Sequence, residues 1–438
     1  MENRYDKYKD SGIAWIGEIP KHWEVCKLST LFFQHKQKNN DTKESNLLSL
    51  SYGNIKRKDI NTSEGLLPES FENYNIIDKD DIVFRLTDLQ NDKRSLRSAL
   101  CKERGIITSA YIVIRKRSNL NSSYFNHLFR AYDECKVFYG LGEGVRQGMN
   151  YDDLRNLEIL LPEQTIQQSI AAYLDQKCGE IDELITLQEE MITKLQSYKQ
   201  SVITEAVTKG LDKNVPLKDS GIEWIGMIPE HWEVKRLKNL GYLYGGLTGK
   251  TGNDFNVEEG DNYEYFIPFT NIFNNMYVDM NLLGKVKVSP NEKQNKVIKN
   301  DILFLMSSED YDGIGKSSLC KENHPYPLYL NSFCKGLRVE NKFKSIFLNY
   351  FMNSAVGKYF CQIASNGFIR INLRQDKLLA CPILCPPLPE QQSIADYLDQ
   401  RCSKIDELIS IKQQKIEKLK EYKKSLIFEC VTGKRKVS

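Results

Sequence analysis

The chain has 438 residues, 41% hydrophobic and 27% charged, with a formal net charge of only +3. That composition suits globular protein of two or three domains, contains no apolar run long enough to span a bilayer, and excludes gripping nucleic acid by bulk charge alone, though not by local basic surfaces. The polar start MENRYDKYKDSG does not read as a secretory signal, and eleven cysteines without a C-x-x-C pair read as reduced thiols of a cytoplasmic protein.

The first recognisable stretch, residues 11–25 (SGIAWIGEIPKHWEV), returns half a chain later as residues 220–234 (SGIEWIGMIPEHWEV). Such a duplication must be read before anything else, because it dictates the architecture. Its tryptophans, Trp15, Trp23, Trp224 and Trp232, read as packing anchors, and His22 and His231 as structural. Each copy is followed by a segment that matches the other only faintly. DDIVFR (80–85) resembles NDILFL (300–305), and SALCKE (98–103) resembles SSLCKE (317–322). Short runs rich in β-branched residues at 109–116, 285–289 and 301–306 alternate with helical patterns at 122–134 and 343–360. These segments are therefore mixed α/β.

Next comes LPEQTIQQSIAAYLDQKCGEIDELI (161–185), repeated as LPEQQSIADYLDQRCSKIDELI (388–409), with Ser169 and Ser393 standing 224 positions apart. Pro162 and Pro389, followed by Glu163 and Glu390, suit a first helical turn. Leu174, Ile181, Leu184, Met191, Leu195, Tyr198 and Val202 fall at three- and four-residue steps, as do Leu398, Ile405, Leu408, Leu419, Tyr422 and Leu426. That is a coiled-coil seam interrupted by Gln188 and Lys412, on helices about 55 Å long. The connector TEAVTKGLDKNVPLKDSG (204–221) resembles the chain's end at its beginning and the chain's start at its finish. A two-fold pair of antiparallel helices accounts for this; a duplication with parallel helices is the alternative. The expected fold is α+β: two mixed α/β domains separated by two long antiparallel coiled-coil helices, with a pseudo-two-fold internal repeat. The boundaries are 1–161 for the first domain, 162–210 for the first helix, 211–387 for the connector and second domain, and 388–438 for the second helix.

Catalytic chemistry is hard to find. GGLTGKT (245–251) approaches a phosphate-binding loop, but Gly245 and Gly249 are one residue too close for that signature. GLGEG (140–144) follows a helix where a dinucleotide loop follows a strand. The single Pro-Pro, at Pro386-Pro387, lacks the flanking residues of a DNA amino-methyltransferase. The five histidines (His22, His35, His127, His231, His324) have no metal-ligand spacing. No catalytic, cofactor-binding or metal site is expected in this chain.

The repeated DSGI-WIG-IP-HWEV block, the LPEQ stretch before each long helix and the VTKGLDKNVPLKDSG connector resemble the specificity subunit of Type I restriction–modification systems, over the whole chain. The resemblance implies a non-catalytic DNA-binding subunit with two target-recognition domains, each reading half of a bipartite site. It implies two methyltransferase (modification) subunits that carry S-adenosylmethionine, and restriction subunits that add ATP-driven translocation and cleavage. A methylation-only system with the same architecture is equally compatible. A coiled-coil adaptor whose domains bind protein is the rival of another class. Direct readout takes Arg or Lys for guanine and Asn or Gln for adenine. On that rule the candidates in the first domain are Lys56, Arg57 and Lys58 in a loop, Lys93, Arg94 and Arg97, and Arg146, Gln147 and Asn150 in a turn. In the second they are Lys250, Asn274, Asn275, Lys316, Arg370, Asn372 and Arg374.

Overall fold

The computed structural model describes residues 4–60, 70–89, 96–140, 148–258 and 262–437. The chain divides into two compact units, residues 1–189 with 413–438, and residues 190–412. Each unit contains one mixed domain and part of both long helices, Gln164–Lys209 and Leu388–Val431. At 1.5 Å per residue, their 46 and 44 residues extend about 69 and 66 Å, beyond the length the seam alone suggests.

Within each unit the helices run antiparallel. In the first, Tyr173 lies under the Arg435 guanidinium, and further along Asp182 accepts from Lys423 Nζ at 2.6 Å. In the second, Tyr198 meets Arg401, and Met191 meets Lys412. The inward positions step by four and three: 174, 178, 181, 185, 188, 192, 195, 199, 202 and 206 on one helix, and each of these plus 224 on the other. Gln188 and Lys412 therefore do occupy the seam. Leu184, Met191, Tyr198, Leu408 and Tyr422 do not; they are 41, 44, 48, 48 and 51% exposed. They are themselves spaced by seven on the first helix and by fourteen on the second, so periodicity alone could not tell their row from the buried one.

The constant spacing also corrects the alignment of the two LPEQ stretches. The helices begin at Gln164 and Leu388, so Pro162 precedes its helix while Pro389 lies inside the first turn. The equivalent residues are Gln167 and Gln391, both buried. Gln167 Nε2 donates to the Pro162 carbonyl at 2.8 Å, and its Oε1 accepts from the Asn121 N–H at 3.1 Å. Gln391 does the same with Pro386 (2.7 Å) and Lys344 (2.8 Å). Each glutamine ties the start of its long helix to the N-cap of a domain helix, Ser122–Glu134 or Ser345–Asn353.

At the other helix ends, Gly210 and Gly433 take φ of +73° and +71°, the left-handed cap that glycine adopts without Cβ strain. Gly210 packs on Pro229 and Trp232, and Gly433 on Pro20 and Trp23; both tryptophans are fully buried. The block at 220–234 thus receives the helix that precedes it in the chain, and the block at 11–25 receives the helix at the chain's far end.

The domains share a four-stranded antiparallel sheet in one order. In the first unit it runs Phe32–Gln34, Ile112–Lys116, Ile82–Phe84, Ser98–Leu100. In the second it runs Gly241–Gly245, Cys334–Val339, Ile302–Leu305, Ser317–Leu319. The faintly matching DDIVF and NDILF stretches supply the central strand. Asp80 and Asn300 turn the chain at φ of +74° and +72°. The buried Asp81 and Asp301 then clamp Arg115 Nε at 2.7 Å and Arg338 Nε at 2.9 Å. The second unit adds a three-stranded sheet, Gly284–Val286, Glu264–Ile267, Leu328–Leu330, with one parallel pair.

Candidate nucleic-acid interface

The candidate residues fall into groups that sequence could not separate. Lys93, Arg94, Arg146 and Gln147 lie outside the described residues. Lys56 and Arg57 are on the strand Asn54–Arg57, the second arm of a hairpin with Leu48–Ser51, with Lys58 just beyond it; the expected loop is a strand. Lys56 and Lys58 are exposed. Arg57 is also exposed, but its Nε donates to Glu103 at 2.9 Å. The hairpin's turn, Tyr52-Gly53, has both residues at positive φ and leaves Tyr52 68% exposed. The Gly53 carbonyl is held by Arg130 Nη2 at 2.7 Å.

Two candidates are removed from base reading by burial. Arg97 is fully buried; its guanidinium donates to the Thr87 carbonyl at 3.2 Å and lies over the Tyr139 ring. Its own N–H donates to Asp133 at 2.6 Å. Lys250 has a side chain 5% exposed and donates to Glu292 at 2.7 Å. That bond is the main reason the Glu292 carboxyl is held down to about 2. The glycine-rich stretch around Lys250 is thus closed by its own ion pair.

Others have structural tasks at the surface. Asn150 Oδ1 accepts from the Asp152 and Asp153 N–H groups and caps the helix Tyr151–Leu154. Arg374 is the equivalent N-cap residue of Gln375–Leu379 and pairs with Asp376 at 3.1 Å. Asn275 Nδ2 donates to the Asn271 carbonyl. Asn372 Nδ2 donates to the Arg370 carbonyl.

The structure brings together Lys316, Asn274 and Asn275. They line a cleft of about 440 Å³ with Lys358, Lys199 and Gln200 of the second unit. Lys316 Nζ donates to the Phe273 carbonyl at 3.3 Å and stands 3.8 Å from that ring's centroid. Burial pushes the Lys316 ammonium down, with Asp310 and Asp312 opposing. Burial also lowers Lys358, helped by the Lys316 charge. The cleft thus gathers Lys199, Lys316 and Lys358, with Asp406 also on its wall, and a neighbouring cation of this kind favours an anion beside it. Sequence reasoning missed Lys358, which sits mid-helix in Ala355–Ala364 with no motif around it.

A second association is the hairpin that ends in Ile371–Asn372, a strand paired with Ser307–Ser308. Arg370 is exposed there, its guanidinium 5.1 Å from the Phe333 ring centroid. Beside it Phe368 and Ile369 are 102 and 88% exposed. A rule that searched for hydrogen-bonding side chains passed over both.

Each domain is fastened to its long helix by an equivalent aspartate. Asp175 accepts from His127 at 2.8 Å and Ser123 at 2.9 Å. Asp399 accepts from Tyr277, from Tyr350 at 2.5 Å, and from Lys321 at 3.1 Å. Partial burial works to raise the Asp399 carboxyl, but those three bonds outweigh it and hold it below the usual range.

Among the described residues, one cluster has ligand atoms close enough to hold a metal: His35, Asp78 and Asp81. Arg115 bridges both aspartates and Arg104 takes Asp78 at 2.8 Å, so the carboxylates are already neutralised. All eleven cysteines are free thiols. No described helix is long and apolar enough to cross a membrane.

Comparison with known proteins agrees with this layout. Residues 229–421 match the family model described as Type I restriction modification DNA specificity domain. A Methanocaldococcus jannaschii chain assigned as the MjaX specificity subunit of a type I restriction enzyme is 25% identical over 96% of both chains. The EcoKI specificity subunit of Escherichia coli is 28% identical over 48% of this chain and 44% of its own. A solved structure from work on assembly and conformational transition of the type I R-M system superposes with a TM-score of 0.69. It covers 95% of this chain and 99% of its own at 16% identity, a likeness of fold.

Proposed function

We propose that this chain is a specificity subunit of the Type I restriction–modification family and that each of its units reads one half of a bipartite, asymmetric DNA site. The observation that carries this reading is the way the two units agree and differ. The sheet order, the Asp81–Arg115 and Asp301–Arg338 clamps and the helix register are duplicated. The outward basic and aromatic groups are not: Tyr52, Lys56 and Lys58 mark one unit, and Lys316, Lys358, Phe368 and Arg370 the other. A common frame carrying unlike surfaces suits two unlike half-sites, and the long helices set the unread gap between them.

The chain contributes recognition and no chemistry of its own. Methylation and cleavage belong to partner subunits, which bring S-adenosylmethionine, ATP and Mg²⁺. Two modification subunits dock on equivalent apolar helix positions, Leu184 and Leu187 in one unit and Leu408 and Ile411 in the other, all 41–53% exposed. Restriction subunits join that complex.

The test is methylation mapping of genomic DNA in a strain carrying the gene. Exchange of residues 26–160 for a relative's segment is expected to change one half of the methylated site and leave the other alone. A change in both halves, or in neither, defeats the reading. Lengthening both long helices by matched turns is expected to alter only the gap.

A further inference from the structure

We infer that Phe368 and Ile369 form a wedge that enters the stack between two base pairs, beside the half-site read by the second unit. This rests on the DNA-binding reading above and adds how one contact is made.

The two side chains are the most exposed large apolar groups among the described residues, at 102 and 88%. They sit on a stiff support. The Asn366 N–H donates to the Asn372 carbonyl at 3.1 Å and the Asn372 N–H to that of Asn366 at 2.9 Å, closing a tight hairpin. Gly367 takes a φ of +147°, and a Cβ there would collide with the Arg370 carbonyl, so the turn requires glycine. Ile371 and Leu373, 4 and 3% exposed, anchor the returning strand in the core. The tip is therefore ordered by backbone bonds and by its base, and Phe368 itself is not needed to hold it.

Size and charge identify the occupant. A stable protein interface takes about 800 Å² from each partner, far more than two adjacent side chains on a narrow tip supply. A base step takes just such a wedge: Phe, Leu, Ile or Met inserted between base pairs, kinking the duplex by about 20–90°. Arg370, next to the tip and stacked on the half-exposed Phe333, supplies the cation for a flanking phosphate. Glu309, Asp310 and Asp312 occupy the adjoining loop, all exposed. Asp310 is turned inward onto the Gly313 N–H at 2.7 Å. That acidic side repels phosphate and restricts the approach to the tip with Arg370 facing the backbone.

Among the described residues, the wedge belongs to the second unit. The Met149 N–H donates to the Leu86 carbonyl just as the Leu373 N–H donates to that of Met306, both at 2.9 Å. In that register the counterparts of Phe368 and Ile369 are Gly144 and Val145, which lie outside the described residues and include no aromatic.

The experiment uses the full chain in complex with its modification subunits and a duplex carrying the mapped site. 2-Aminopurine is placed in turn at each step in and around the second half-site. The base extruded for methylation will brighten by itself, so the informative positions are the others. One such step is expected to gain fluorescence severalfold. The double variant Phe368→Ala, Ile369→Ala is expected to lose that gain and to bind roughly tenfold more weakly, with assembly and thermal unfolding unchanged. Three results would overturn the wedge: no brightened step other than the extruded base, a gain that survives the double variant, or a variant that loses its modification subunits instead, which would assign the tip to protein contact. A wild-type complex that discriminates no DNA sequence would sink the DNA-binding reading, and the wedge with it.

Discussion

The two units use one frame to hold unlike surfaces, and equivalent positions show where selection for folding ends. Arg115 and Arg338 do the same work on the same buried aspartate. Asp175 and Asp399 also do the same work, with different partners: a histidine and a serine in one unit, two tyrosines and a lysine in the other. Arg97 and Lys316 share a register, since Arg85 N–H donates to the Arg97 carbonyl as Leu305 N–H does to Lys316. Yet Arg97 is sealed in the core while Lys316 lines an open cleft. Equivalent position preserves backbone geometry; whether a side chain is structural or available depends on what packs over it.

That comparison can be broken at the clamps. Asp81→Ala and Asp301→Ala each remove a buried carboxylate from a partly exposed arginine and are expected to cost about 1–3 kcal/mol, with the smaller loss at Asp81 because Arg115 keeps Asp78 at 2.8 Å. Thermal or denaturant unfolding of the two variants checks this, and a large effect in one unit alone would deny the equivalence. Next come the divergent pair. Arg97→Ala is expected to lose about 3 kcal/mol of stability. Lys316→Ala is expected to leave unfolding within about 0.5 kcal/mol and instead to reduce the salt dependence of DNA binding by about one phosphate contact. Binding isotherms at several salt concentrations separate the two.

A third difference is in acid response. Burial raises the Asp133 carboxyl of the first unit to about 6, against a hydrogen bond from the Arg97 N–H that lowers it. A carboxyl whose folded value is raised supports the fold below its unfolded value, near 4, and loses that contribution as pH rises through about 6. Asp133→Asn keeps an acceptor for Arg97 and removes the charge. It is expected to stabilise the protein by roughly 2–3 kcal/mol above pH 6 and by little below pH 4; unfolding measured across that range reads it. The smallest effect is expected in the helix pairs. Lys423→Ala and Lys199→Ala each break a partly exposed bond to aspartate and are expected to cost about 0.2–1 kcal/mol apiece. Unequal losses would show that the two seams are not energetically alike.

Much of the fold was legible in the residues. Duplicated blocks announced the internal repeat, and the seam spacing announced long paired helices. The resemblance of the connector to the joined ends announced their antiparallel course, which the Arg435–Tyr173 and Asp182–Lys423 contacts bear out. Less of the candidate site was legible. A list of basic and amide side chains contained Lys316, Asn274 and Arg370, but equally Arg97, Lys250 and Asn150, whose hydrogen-bonding groups are committed to the protein itself.

The sequence by itself determined the repeat and the fold class, because these depend on periodicity and local chemistry that survive along the chain. Only tertiary structure decided which of two equally spaced apolar rows faces inward, which glutamine anchors each helix start, and which cations reach solvent. Those are properties of what lies across a gap in space, from residues as distant in the chain as Gly433 and Pro20. No local pattern encodes the desolvation and partnering that such neighbours impose.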